Sequence, residues 1–153
     1  MDAFPIQVIS RILHILGAIV LLGGTFFVAF ALKPAAQQLP EAEHQALHER
    51  LMKRWRQLVG IAIGLLIFTG FYNYLVVAAP KHGDAGDSKY HMFMGIKILL
   101  AFGAFFIASV LPGRAAAFAK MRQNSKLWTL IAIILGVIVV SIGGFLRIRE
   151  IPG

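Results

Sequence analysis

Four long apolar segments constrain this chain more than any other feature. They cover about residues 12–32, 58–79, 92–111 and 127–146, and each is close to the roughly 20 residues that a helix needs to cross the hydrocarbon core of a bilayer. In hydrocarbon, every backbone polar group must be bonded within the protein, and a helix achieves this inside one segment. The sequence therefore predicts an all-α, integral membrane protein, with an antiparallel four-helix bundle as a single domain over residues 1–153.

Composition supports a bilayer environment. Of the 153 residues, 58% are hydrophobic and only 14% are charged, whereas soluble domains carry about 25% charged residues. The net charge of +8 does not indicate a nucleic-acid partner, because the basic residues lie between the apolar segments, where lipid headgroups are the expected contact. The absence of cysteine excludes disulfides and thiolate metal sites.

The distribution of lysine and arginine predicts the orientation. Nine of these residues lie in the first and third connections, and four lie in the second connection and the C-terminal tail. Basic loops stay in the cytoplasm, so the chain is predicted to be a multi-pass protein of the cell inner (plasma) membrane with both termini outside the cytoplasm. The nine residues are Lys33, Arg50, Lys53, Arg54, Arg56, Arg114, Lys120, Arg122 and Lys126.

The two longer connections differ in pattern. Residues 41–56 place Leu47, Leu51 and Trp55 at helical spacing between charges, after Pro40, which predicts an amphipathic cytoplasmic helix that either lies on the membrane surface or extends the second span. Residues 80–89 are rich in glycine and aspartate and predict a simple turn. On the amphipathic helix, two histidines and a glutamate could bind zinc, but a solvated polar face is the favoured interpretation. These residues are Glu41, His44 and His48.

His14 is the main candidate for function. All seven acidic residues lie outside the apolar segments, which argues against a pump that uses a carboxylate in the membrane and against paired-carboxylate catalysis. His14, in contrast, lies inside the first segment, where an ionisable ring needs a partner, a cavity or a metal. It shares a helical stripe with Arg11, Ala18 and Gly24. Because small residues mark helix contacts in lipid, His14 is predicted to face the bundle interior.

His14 and His91 together suggest a cofactor. Both fall within about one turn of the outer edge of their spans, and two imidazoles from facing helices commonly bind a haem iron. Arg11 and Lys97 could reach the propionates. These residues predict a haem near the outer leaflet. Six residues separate His91 from Lys97, or roughly 120° around a helix, so the two side chains point in different directions.

Two alternatives remain open. Thioether and imidazole are suitable ligands for reduced copper, and this chain could handle copper through His14, His91, Met92 and Met94. Alternatively, the protein is a non-catalytic scaffold or accessory subunit whose polar residues only pack helices. The Gly60-xxx-Gly64 pattern would allow close approach of a homo-oligomeric copy or a redox partner.

The residues around His14 resemble two related families of small membrane proteins. Arg11-x-x-His14, followed by Leu22-Gly23-Gly24 and a phenylalanine-rich stretch, is similar to the first span of the copper-resistance protein D family and of the HemJ-type protoporphyrinogen oxidases, which bind haem b. Gly95-Ile96-Lys97 resembles their lysine–leucine segment. Leu22 stands where those families have tryptophan, and Gly95 where the HemJ type has histidine. The resemblance implies a haem-b or copper-related role for His14 and a functional role for Lys97. With it, the prediction becomes a haem-dependent oxidoreductase that uses a b-type haem for electron transfer or tetrapyrrole oxidation.

The orientation is directly testable. A reporter enzyme that is active only outside the cytoplasm, fused after Gly153, should be active, because the basic first and third connections hold the other side of the protein in the cytoplasm. Reporter activity on the cytoplasmic side instead would contradict the orientation and the outer-leaflet position of His14.

Overall fold

The computed structural model describes residues 3–149. Four helices are long and apolar enough to cross a membrane, and the described residues form no β-strand, which confirms the prediction of an all-α four-helix fold. A short helix precedes the last span. The helices are α1 (Phe4–Ala36), α2 (Glu41–Asp84), α3 (Ser88–Val110), α4 (Ala119–Gln123) and α5 (Ser125–Ile148).

The four long helices run up and down around one core. α1 packs along α2, and α3 packs along α5, while contacts of α2 with α3 and of α1 with α5 close the ring. Gly103 lies beside Leu135, and Gly143 lies beside Lys97. Because residue numbers rise on α3 as they fall on α5, these two helices are antiparallel.

The exterior of the bundle is apolar. Phe68 in α2 is 80% exposed and Leu99 in α3 is 73% exposed, although both lie in the middle of spans. Exposed apolar surface on this scale is unfavourable in water, and lipid chains are the environment that suits it. The buried core is small by comparison. Its packed cluster between the helices consists of Leu21, Val59, Ala62, Leu66 and Ala108.

The amphipathic segment 41–56 is the first part of α2 and extends the second span. At 1.5 Å per residue, the 44 residues of α2 reach about 66 Å, or roughly twice the hydrocarbon thickness. His44 Nδ1 donates to the carbonyl of Ala36 at 2.8 Å, which fastens the start of α2 to the end of α1. The zinc site considered for Glu41, His44 and His48 is not formed, since no group of three suitable ligands occurs within residues 3–149.

Two helices contain wide, π-helical turns. Those of α1 cover Ile19–Gly23 and Val28–Leu32, and that of α2 covers Asn73–Ala78. Pro34 and Pro80 follow the second and third of these turns. Proline lacks an N–H and its ring crowds the preceding turn, so the helix widens there instead of breaking. The widened turn of α2 carries Tyr74, which reaches α3.

Glycines allow α1 to approach α2 closely. A Cβ atom at Gly17 would lie 3.2 Å from Leu66 Cγ, and one at Gly24 would overlap the indole ring of Trp55. In lipid, such close contact supplies much of the dispersion energy that holds helices together. In contrast, a Cβ at Gly60 or Gly64 would meet nothing within 4 Å, so the described helices do not use the Gly60-xxx-Gly64 pattern.

We expect Gly24→Ala to destabilise the bundle by about 1–3 kcal/mol, because the added methyl displaces the Trp55 ring from its position between α1 and α2. Gly23→Ala is the matched control. Its Cβ would point into open space, so stability should stay the same or rise by up to about 1 kcal/mol through helix propensity. Thermal unfolding of the detergent-purified variants measures the difference. Equal melting temperatures for the two variants would contradict the packing role of Gly24.

Asp87 joins three helices at the end of the bundle where α2 meets α3. It is only 2% exposed and accepts hydrogen bonds from Arg149 at 2.8 and 2.9 Å, from His82 Nδ1 at 3.0 Å and from the backbone N–H of Tyr90 at 3.2 Å. The last of these caps the N-terminus of α3. The rings of His82 and Tyr90 stack with centroids 3.5 Å apart. The connection between α2 and α3 is therefore a fixed junction that also binds the end of α5.

The Asp87 junction should make stability depend on acid. The hydrogen bonds from Arg149 lower the pKa of Asp87 from 3.8 to about 2. A lowered folded-state pKa stabilises the protein fully above pH 3.8, and this stabilisation is lost as the pH falls toward 2. We expect Asp87→Asn to melt at a lower temperature at pH 6 and to lack this acid-induced loss. The exposed Asp84 provides the control, since Asp84→Asn should melt like the original protein throughout the titration.

Candidate functional site

His14 lies between α1 and α2. Its Nδ1 atom is 2.9 Å from the hydroxyl oxygen of Thr69, and its ring rests on Gly70, where an added Cβ would come within 3.1 Å of His14 Cε1. Thr69 is buried. The backbone of Gly70 thus makes room for the imidazole, and the preceding threonine orients it.

Thr69 determines which nitrogen of His14 carries the proton. Its hydroxyl donates to the carbonyl of Leu65 in the preceding turn, a bond that buried threonines in helices commonly make. A hydroxyl has a single proton, so the Thr69 oxygen accepts from Nδ1–H of His14. The Nε2 atom of the neutral ring then carries the free lone pair, as in histidines that bind metals through Nε2 with Nδ1 hydrogen-bonded behind them.

Arg11 and Lys97 are near the imidazole. Both positive charges act electrostatically on His14, and the charge of Arg11 also acts on Lys97. Lys97 extends from α3 toward α5, where its Nζ would be 3.4 Å from a Cβ at Gly143. Within the described part of the chain, neither Arg11 nor Lys97 forms an ion pair. The structure therefore brings together three of the four residues predicted to bind a cofactor, in a basic cluster without an acidic counterpart.

His91 contacts the same helix as His14, but one turn further along. Its Nδ1 is 2.9 Å from the hydroxyl oxygen of Tyr74, and the two rings are in edge-to-face contact with centroids 6.0 Å apart. Gly70 and Tyr74 are one turn apart on α2, or about 6 Å along its axis. His14 and His91 therefore approach neighbouring turns of α2 from two different helices, and each binds a hydroxyl group of α2 through Nδ1.

The predicted copper ligands Met92 and Met94 are not collected at one site in the way that the residues around His14 are. Met92 is 55% exposed, so much of its side chain lies on the outer surface of α3. Met94 is half-buried. The neighbouring His82 is already occupied, since it binds Asp87 and stacks on Tyr90.

Sequence reasoning missed three polar residues of this region: Ser10, Thr69 and Tyr74. Ser10 is 8% exposed, and its hydroxyl has no hydrogen-bond partner among residues 3–149. It lies four residues before His14, so both side chains are on one face of α1. A hydroxyl residue one turn from an intramembrane histidine was the available signal for Ser10. Thr69 and Tyr74 are 55 and 17 residues away from the histidines they bind, and no sequence spacing identifies such pairs.

The combined chemistry suits an anionic ligand that carries a metal. The site offers an imidazole whose Nδ1 is held by Thr69, a buried hydroxyl one turn away that has no partner among residues 3–149, and two cationic side chains. Among residues 3–149, no carboxylate belongs to the site, so no such group is there to serve as a general acid or base. Comparison with protein-family models, with curated proteins and with solved structures gave no match to this chain.

Proposed function

We propose that this membrane protein binds a b-type haem between α1, α2 and α3, with His14 as an axial ligand, and uses it for electron transfer or tetrapyrrole oxidation. The hydrogen bond from His14 Nδ1 to Thr69 carries the proposal. A metal ligand needs its free lone pair held in one direction, and a hydrogen bond at the other ring nitrogen provides this.

The surrounding residues fit this group. Arg11 and Lys97 would pair with the two propionates, and the attraction between these opposite charges would offset the cost of holding cations at membrane depth. The unpaired Ser10 hydroxyl would gain a polar partner. When bound, the haem supplies one-electron redox chemistry at its iron. The protein would supply a histidine ligand, the positive charges and an environment of low polarity, all of which would adjust the redox potential.

His91 is our proposed second axial ligand. Its Nδ1 is held by Tyr74, one turn along α2 from the residues that hold His14. The resemblance of Arg11, His14 and Lys97 to the HemJ-type and copper-resistance families agrees with a ligand role for His14 rather than for His91, and we propose a distant relationship with them. Copper handling has less support, because Met92 is largely exposed on the outer surface of the bundle. We further propose that the site lies in the outer half of the plasma membrane, as the basic loops indicate.

An absorption spectrum tests the proposal. The protein, expressed with sufficient haem and purified in mild detergent, should give a Soret band and a sharp α-band after reduction. His14→Ala should lose most of the bound haem, whereas His48→Ala, at an exposed position in the first part of α2, should keep it. Colourless protein would eliminate the haem function. Reduced stability of colourless His14→Ala would then favour a scaffold, because the contact of His14 with Thr69 would serve only to pack two helices.

Thr69 provides a second, more selective test. Thr69→Val keeps the shape of the side chain but removes the acceptor for His14 Nδ1–H, and we expect haem affinity to fall about 10-fold or more, as for other outer partners of metal ligands. Thr129→Val makes the same change at another buried threonine, in α5, and should leave haem affinity unchanged. Equal affinities for the two valine variants would mean that Thr69 does not position the ligand. Copper bound in stoichiometric amount and lost in Met92→Leu/Met94→Leu would support the copper alternative instead.

A further inference from the structure

The opposite end of the bundle contains a cavity of about 340 Å³ between α2 and the connection from α3 to α4. Arg56 and Thr69 are 13 residues apart on α2, which places this cavity about 20 Å along the helix axis from the His14 site. The cavity lies where the apolar part of α2 gives way to its charged first half, which is the level of the lipid headgroups. Its volume is within the range of small-ligand sites.

The lining of the cavity is strongly basic. Four cations contribute to it, two from α2 and two from the segment that follows α3, and the only acidic lining residue is Glu49. Glu49 forms no ion pair with any of them, as the ion pairs within residues 3–149 are confined to Asp87. Four like charges around one space repel each other unless an anion enters. The cations are Lys53, Arg56, Arg114 and Arg122.

Arg122 is fixed in a position that leaves donors available. Its Nη2 donates to the carbonyl of Ala115 at 2.6 Å, which holds the guanidinium in the connection between α3 and α4. Its Nη1 is buried and has no partner among the described residues. A buried guanidinium nitrogen without an acceptor is costly, and an anion in the cavity would provide one.

A tight turn after α3 shapes the same wall of the cavity. Gly113 donates to the carbonyl of Val110 at 3.1 Å, and a Cβ at Gly113 would be only 3.1 Å from the carbonyl oxygens of Ser109 and Val110. A larger residue at this position would press on both carbonyl oxygens, so the turn favours glycine. It brings Arg114 back to the cavity opposite Lys53 and Arg56, so cations from distant parts of the chain meet at a defined place.

We propose that this cavity binds a phosphate-bearing anion, through Arg56 and Arg122 in its wall with Lys53 and Arg114 beside them. Guanidinium groups form paired, charge-assisted hydrogen bonds to phosphate oxygens. Basic pockets between membrane helices at headgroup level bind anionic lipids in this way. The phosphate belongs either to a lipid headgroup or to a soluble phosphate compound, and both present the same oxygens to the cavity.

Thermal unfolding of the full-length protein in detergent tests this site. Added phosphatidylglycerol should raise the melting temperature, while the same concentration of phosphatidylcholine, whose headgroup has no net charge, should have much less effect. Stabilisation by phosphatidylglycerol alone identifies a lipid headgroup, and stabilisation by inorganic phosphate as well identifies a general phosphate site. No stabilisation by either phosphate source overturns the proposal.

A charge-matched pair of variants distinguishes binding in the cavity from general electrostatic attraction between anionic lipid and the basic surface. Arg56→Gln/Arg122→Gln should weaken phosphatidylglycerol binding on the order of tenfold or more. Arg54→Gln/Lys126→Gln removes the same charge from the same side of the membrane, at two exposed residues outside the cavity, and should bind almost normally. Arg56→Lys/Arg122→Lys keeps the charges but loses the paired guanidinium hydrogen bonds, so it should bind less tightly than the original protein and more tightly than the glutamine variant. A folded lysine variant with this intermediate binding guards against misfolding as the explanation. Equal weakening in the two glutamine variants would mean that no defined site exists.

Haem content should not change in any of these variants, so the result is independent of the His14 site.

Discussion

The close approach of α1 and α2 is the contact on which the rest of this bundle depends. Lipid chains are as apolar as the helix surfaces, so no hydrophobic force draws the helices together, and short distances must supply the attraction. Gly17 and Gly24 allow those distances against Leu66 and Trp55. The same contact brings His14 onto Gly70 and within reach of Thr69. Packing and the candidate site therefore depend on the same contact: Gly17 and Gly24 of α1 allow the helices to approach, and Gly70 of α2 leaves space for the imidazole.

The two ends of the bundle differ in how their charged side chains are paired. At one end, Asp87 accepts hydrogen bonds from Arg149 and His82 and connects α2, α3 and α5 in a junction. Close to this junction, Arg11 also acts electrostatically on Tyr90, yet Arg11 and Lys97 have no acidic partner among the described residues. At the other end, the cavity near Arg56 and Arg122 is basic as well. Apart from the Asp87 junction, the protein concentrates positive charge in two places 20 Å or so apart, and each is complementary to an anionic ligand.

Sequence reasoning reached different depths for different elements. The four spans were predictable because hydrocarbon requires long apolar helices. Whether residues 41–56 lie on the membrane surface or extend the second span was not predictable, because the amphipathic pattern suits both arrangements. In the structure they are the first part of α2 and extend the span. The glycine patterns were ambiguous for a similar reason. Gly17 and Gly24 contact α2, whereas Gly60 and Gly64 contact nothing in this chain, and a spacing of small residues does not state which surface it meets. The connection over residues 80–89 looked like a simple turn, but its Asp87 is the most connected side chain at that end.

The sequence by itself determined the class of fold, the number of spans and the unusual position of His14, because these follow from hydropathy and from the cost of an ionisable group in lipid. Only the tertiary structure decided what His14 binds, which of its nitrogens is free, and how Arg11 and Lys97 from two helices come to surround it. The physical reason is the separation along the chain over which each effect acts. Hydropathy acts on neighbours along the chain, whereas the partner of His14 is 55 residues away and becomes a neighbour only when two helices pack in one register.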